Sequence, residues 1–243
     1  MENTTYIALS RQIGLRREMD IVAQNIANAN TPAFKGERLI FREFLSTSES
    51  SDELSFVQDV GTARDTTNGP LVSTGNALDV AITREEGFFV VDTPLGERYT
   101  RHGRFQLDEE GTLVTSTGYP VMGAGGPITI DGEEGPIAIA IDGTISNDEG
   151  VVDQLRVVDF EDTQQLRKAA NGLYTAPPDV EPEEMDDPQL AQGMIEESNV
   201  QPILELTRMM DIHRTHDSVA RFLKQEDDRI KDMLDRIGRP AQA

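Results

Sequence analysis

Residues recur at alternating spacings of four and three at both ends of this chain. Ala8, Gln12, Leu15, Met19, Val22, Ile26 and Ala29 form one series, and Met209, Ile212, His216, Val219, Leu223, Glu226, Ile230, Met233 and Ile237 form the other. That alternation lays each set along one stripe of an α-helix, with the spacing of a coiled-coil seam. Between the two lies a different grammar of short strands and turns. A chain built this way closes its ends on each other or lends them to neighbouring copies, so assembly rather than catalysis is the expectation.

Composition narrows the classes further. Hydrophobic residues make up 37% of the 243 and aromatics 5%, with no Trp. This is lean for a compact enzyme and suits an elongated protein with much surface. A net charge of −22 repels phosphate backbones and anionic membrane faces, so neither nucleic acid nor membrane insertion is expected. The absence of Cys excludes disulfides, Cys-ligated zinc and thiol catalysis. No apolar run approaches the roughly 20 residues of a membrane-spanning helix. The opening Met1-Glu2-Asn3-Thr4-Thr5 has neither a basic nor an apolar leader region, so no secretory signal peptide is expected.

The expected fold class is α+β, with discontinuous N- and C-terminal coiled-coil helices flanking a central all-β domain. Residues 1–35 form the N-terminal part, its helix running from about Tyr6 to Ala29 and ending at Asn28-Ala29-Asn30-Thr31-Pro32. Asn tolerates the left-handed conformation that closes helices, and Pro prevents continuation. Residues 36–75 show no sustained period and read as an extended connection or mobile arm. Residues 76–175 carry seven or more strands: Leu78, Val80 and Ile82 alternate with other residues, residues 88–91 are an apolar run, and Asp142-Gly143 marks a hairpin. Residues 176–196 open with four prolines and six acids in thirteen positions and read as a stiff linker. The last segment, residues 197–243, holds a helix capped by Asn199, with Pro202 third in it, that runs to Ile237 and stops at Gly238-Arg239-Pro240. It is expected to pair with residues 1–35.

Three segments resemble one family, the bacterial flagellar rod and hook proteins. Asn25-Ile26-Ala27-Asn28-Ala29-Asn30-Thr31-Pro32-Ala33-Phe34-Lys35 is similar to its N-terminal motif. Leu78-Asp79-Val80-Ala81-Ile82, Gly87-Phe88-Phe89-Val90-Val91 and Tyr99-Thr100-Arg101-His102-Gly103-Arg104-Phe105 resemble its central β segment. Glu197-Ser198-Asn199-Val200, with Glu205, Thr207, Met209 and Arg214, resembles its C-terminal block. Ala33 replaces the usual Gly, from which the turn is expected not to need a positive φ; Gln24 and His213 are further departures.

The resemblance implies a structural subunit of the basal-body rod, nearest the proximal rod members, with the distal rod as the alternative. It implies partners among other copies and other rod proteins, passage through the flagellar type III export apparatus, and a periplasmic location reached without a cleaved signal peptide. The expected assembly interface is Leu15, Met19, Val22, Ile26, Met209, Ile212, Val219, Leu223, Ile230 and Met233. The family motif residues are Asn25, Asn28, Asn30, Thr31, Phe34, Lys35, Ser198, Asn199, Val200 and Arg214.

No catalytic, cofactor-binding or metal site is expected. His213 and His216 lack a completing ligand and read as helix-face packing. His102 reads as structural. The acidic glycine loops at residues 131–135 and 142–150 read as turns, since neither has EF-hand spacing. Gly123-Ala124-Gly125-Gly126 opens no helix and is not a phosphate loop. The rival from another class is a β-rich extracytoplasmic hydrolase or carbohydrate binder on a helical stalk, which would need a pocket of convergent polar groups.

Overall fold

A computed structural model describes residues 2–47, 53–130 and 135–237, and the chain divides into two compact units. The Asp131-Gly132-Glu133-Glu134 part of the first acidic loop and the Gly238-Arg239-Pro240 stop lie outside the described residues. Among the described residues no helix is long and apolar enough to cross a membrane.

The first unit joins residues 1–27, 37–63 and 201–243. Helix α1 spans Glu2–Ala27 and helix α2 spans Pro202–Ile237. They run antiparallel, because Gln12 meets His216, Glu18 meets Arg208 and Asn25 meets Glu205. The stripes read from sequence lie toward this contact to different degrees. Val22 and Ile212 are buried, and Leu15, Met19, Ile26, Met209, Val219 and Leu223 are half-buried. Ile230 and Met233 are exposed. Ala29 falls beyond the end of α1.

α2 starts later than expected. Pro202 is its first residue, where the missing N–H has no intrahelical acceptor to lose, and the Gln201 carbonyl accepts the first helical bond, from Glu205. Asn199 is therefore not the cap. Residues 36–75, read as an extended connection or mobile arm, contain the long strands Glu37–Thr47 and Glu53–Arg64, which pair with each other as a ribbon.

The second unit joins residues 28–36 and 64–200. It therefore takes in the turn after α1 and the acidic stretch before α2, both of which the sequence reading placed outside the β domain. Eleven strands begin between Ala77 and Tyr174 among the described residues. Five of them, with Glu183–Glu184 as a sixth, form an antiparallel sheet in the order Arg167–Lys168, Tyr174–Thr175, Gly96–Thr100, Phe88–Thr93, Val157–Asp159 and Glu183–Glu184.

The apolar run Phe88–Val91 is buried on both faces, which is why it is continuous rather than alternating. Phe89 and Val91 enter a core with Val80, Leu113, Val121 and Ile145. Phe88 and Val90 enter a second with Tyr99, Val158, Phe160 and Tyr174. Edge-to-face rings join each, with Phe89 5.2 Å from Phe105 and Tyr99 4.8 Å from Phe160. The Asp142-Gly143 hairpin is present: Gly143 sits at φ 91° and donates to the Ala140 carbonyl, and Ile145 pairs with Ile139.

The acidic stretch is not a free linker. Glu183–Glu184 closes one edge of the six-stranded sheet, Leu190–Gln192 pairs with Val80–Ile82, and Met194–Glu196 pairs with Leu71–Ser73. Leu190 and Ile195 are buried. Its charge kept the segment polar on average, but Leu190–Gln192 and Met194–Glu196 pair with strands more than a hundred residues away.

Candidate functional site: a buried ionic lock and a helical seam

One family-motif residue, Lys35, sits in a charged cluster inside the second unit. The Glu196 carboxylate lies at its centre. Its Oε1 accepts from Lys35 Nζ at 2.6 Å and from the Gly69 amide at 3.0 Å, and its Oε2 accepts from Arg101 Nε at 2.9 Å. All three charged side chains are at most 5% exposed.

The remaining donors are used on backbone carbonyls. Lys35 reaches the Thr67 carbonyl at 2.8 Å, and Arg101 reaches those of Glu85, Gly87 and Arg84. Asn68 Oδ1 accepts from both cations, and its amide donates to the Arg84 carbonyl. Two cations share one carboxylate, so the cluster is stable only because carbonyl dipoles hold the second positive charge. Burial pulls the Lys35 ammonium below its ordinary range against the raising pull of Glu196, and Arg101 lowers it further.

The turn leading to Lys35 is held from several sides. Thr31 donates through its amide to the Asn28 carbonyl and through its hydroxyl to Asn28 Oδ1. Ala33 sits at φ 55°, and its amide donates to the Glu196 carbonyl at 2.8 Å. The turn takes a positive φ even without Gly: the left-handed conformation is kept despite the Cβ, because the bond to Glu196 and burial hold it. The ring of Phe34 lies under Lys168 Nζ at 4.3 Å. Asn30 is exposed.

Asn199 acts as a clamp. Its Oδ1 accepts from the Gly36 amide at 2.8 Å, and its Nδ2 donates to the carbonyls of Asp65 and Thr67. Ser198 is buried and its hydroxyl accepts from the Val200 amide. Val200 is half-buried, and Arg214 is exposed on α2.

Asn25, in the first unit, does a similar job. Its side chain accepts from the Glu37 amide at 3.0 Å and donates to the Glu37 carbonyl at 2.8 Å, imitating a paired strand. Arg208 of α2 binds Glu18 of α1 at 2.8 Å across the seam. His213 pairs with Asp217 one turn on.

Sequence reasoning named Lys35 and Asn199 but missed their partners. Arg101 lies inside a family motif with nothing in the sequence to mark its role, and Glu196 lies at the end of the acidic stretch. Lys35, a cation closing a motif otherwise of small and polar residues, was the one signal that an acid must lie elsewhere. Tyr6, Leu9 and Ile13 on α1, and Ile203, Leu206 and Met210 on α2, are exposed apolar residues off the predicted stripes.

Three family models match the chain: flagella basal body rod protein over residues 6–35, the flagellar hook protein FlgE/F/G D1 domain over 81–147, and the flagellar basal body rod FlgEFG protein C-terminal over 191–236. The flagellar basal-body rod protein FlgF of Caulobacter vibrioides is 42% identical, the match covering 98% of this chain and 99% of that protein. The chain belongs to the flagellar rod and hook family. FlgF of Mesorhizobium japonicum is 35% identical over 93% of each chain, and FlgG of Bacillus subtilis is 30% identical over 96% of this chain and 98% of that one. Among rod proteins this chain is FlgF-like, and it is a structural subunit of the basal-body rod. Lys35, Arg101 and Glu196 fall one in each of the three matched segments, so the lock ties the family's three regions together.

Proposed function

We propose that this rod subunit is built into the axial structure through α1 and α2, and that the assembled tube transmits motor torque. The observation that carries this is the apolar surface that the two helices leave uncovered. Val22 and Ile212 are satisfied within the chain, whereas Ile230, Met233, Ile203, Leu206 and Met210 remain in contact with solvent. Each large apolar side chain that a neighbour covers fully contributes about 1.5–3 kcal/mol gross, and part of it offsets the ordering of the helices. Coiled-coil packing between copies and other rod proteins supplies the stiffness. Contacts of this kind, between unlike surfaces whose rotation does not close, build open helical assemblies. The subunit works in the periplasmic part of the basal body and reaches it through the flagellar export apparatus.

The test is incorporation. Leu223→Asp and Ile26→Asp place a charge on the half-buried stripes. Both variants are expected to vanish from purified basal bodies while the β unit keeps its near-ultraviolet circular dichroism. Wild-type amounts in the rod would contradict the seam.

A further inference from the structure

Asn68 lies beside the buried lock with its amide fixed in one orientation. Its Oδ1 accepts from Lys35 Nζ at 3.2 Å and from Arg101 Nη2 at 3.1 Å. Its Nδ2 donates to the Arg84 carbonyl at 2.9 Å and to the Thr83 carbonyl at 3.3 Å. A flipped amide would set its NH2 group against two cations, so the carbonyl is the end that faces Lys35. Lys35 Nζ is in turn 2.6 Å from Glu196 Oε1. An amine, an amide carbonyl, a carboxylate and a guanidinium thus meet at one point. Lys35, Arg101 and Glu196 are buried there, and Asn68 is half-buried, which leaves a small product a way out.

We infer that Lys35 and Asn68 join covalently, with Nζ replacing Nδ2 on Asn68 Cγ to give an intramolecular amide bond. The distances above are those of the chain before the bond forms. Glu196 takes a proton from the ammonium and uncovers the amine lone pair. Burial, which lowers the Lys35 ammonium, favours that neutral form. The lone pair attacks Cγ, which is one bond of about 1.2 Å from the oxygen that Nζ already touches. The carbonyl π electrons shift onto Oδ1, where Arg101 holds the negative charge. As the carbonyl reforms, the Cγ–Nδ2 bond breaks. Glu196 carries two protons in turn from Nζ to Nδ2, so the leaving group departs as ammonium. Its departure removes the excess charge of the lock. Two cations share one buried carboxylate before the step, and Arg101 and Glu196 remain as a matched pair after it.

The rival nucleophile is the Gly69 amide, whose attack on the same carbon would give a cyclic imide. That N–H is held by Glu196 Oε1 at 3.0 Å, whereas Nζ is poised on the Asn68 carbonyl. The bond closes residues 35–68 into one covalent ring, the ribbon of Glu37–Thr47 and Glu53–Arg64 included. In a chain without cysteine it is a permanent cross-link that no disulfide can supply.

Mass spectrometry of the purified full-length chain tests this. The intact mass is expected to fall about 17 Da below that of the unmodified chain, one ammonia lost. Trypsin is expected to leave Lys35 uncut and to release residues 18–38 joined to residues 65–84 as one branched peptide. Lys35→Arg keeps the charge but offers no nucleophilic amine, and Asn68→Ala removes the acceptor. Both are expected to show the full mass. A wild-type chain at full mass, cut normally at Lys35, overturns the cross-link. A loss of the same size that persists in Lys35→Arg and opens in hydroxylamine also overturns it, in favour of the imide of Asn68 and Gly69.

Discussion

Glu196 holds two buried cations, and its replacement leaves both without a counter-charge. Glu196→Gln is expected to cost about 3–5 kcal/mol, the cost of breaking a buried pair from one side. Lys35→Met keeps the Arg101–Glu196 pair and is expected to cost clearly less. Urea unfolding of the two variants measures both, and equal losses would show that the carboxylate is not the centre. Ala33 carries the opposite expectation. Its left-handed backbone costs roughly 1 kcal/mol, so Ala33→Gly is expected to raise stability by up to about that amount, less the entropy glycine adds to the unfolded chain.

His102 sets a pH dependence. Burial, helped by Arg104, holds its imidazole below the ordinary value. Between the lowered folded value and about 6.5, the unfolded chain takes up a proton that the folded chain refuses, so stability falls as pH drops below about 6.5. His102→Gln should flatten that fall between pH 7.5 and 5.5 in the urea midpoint. An unchanged slope would place the titration elsewhere. Lys35 and Asn199 were legible as residues because the motif carries them. Glu196 was not, since a buried acid and a solvated one look alike in a run of acids.

At the level of elements, the helices and the Asp-Gly hairpin were legible because their signals are local: a stripe of period near 3.6, or a turn dipeptide between apolar runs. Leu190–Gln192 and Met194–Glu196 were not, because strands of three residues gain their stability from distant partners, here Val80–Ile82 and Leu71–Ser73. The paired strands Glu37–Thr47 and Glu53–Arg64 are long and local, but their residues show no sustained alternation to mark them. Asn199 misled as a helix cap because Asn is also a loop clamp, and only the positions of Gly36 and Asp65 decide between the two.

Gly103 tests the core pairing most sharply. Its carbonyl accepts from the Val80 amide at 2.8 Å, and a Cβ there would collide with the Val80 carbonyl oxygen. Gly103→Ala is expected to abolish the sharp near-ultraviolet signal of the β unit and most of its soluble yield. A variant that folds with only a small loss would mean that the strand shifts freely past Val80.

For the whole molecule, the sequence made the division into terminal helices and β body legible but not its boundaries. Residues 28–36 and 176–200 belong with the strands because the ionic lock and the strands at 190–196 draw them there. The helical unit keeps apolar surface that its own chain leaves open, which fits a subunit completed by its neighbours. Averaged electron-microscope images of intact basal bodies test that directly. Density for the α1–α2 pair is expected along the inner wall of the rod, packed against adjacent subunits. A rod of normal length whose inner wall has no place for this helix pair would contradict it.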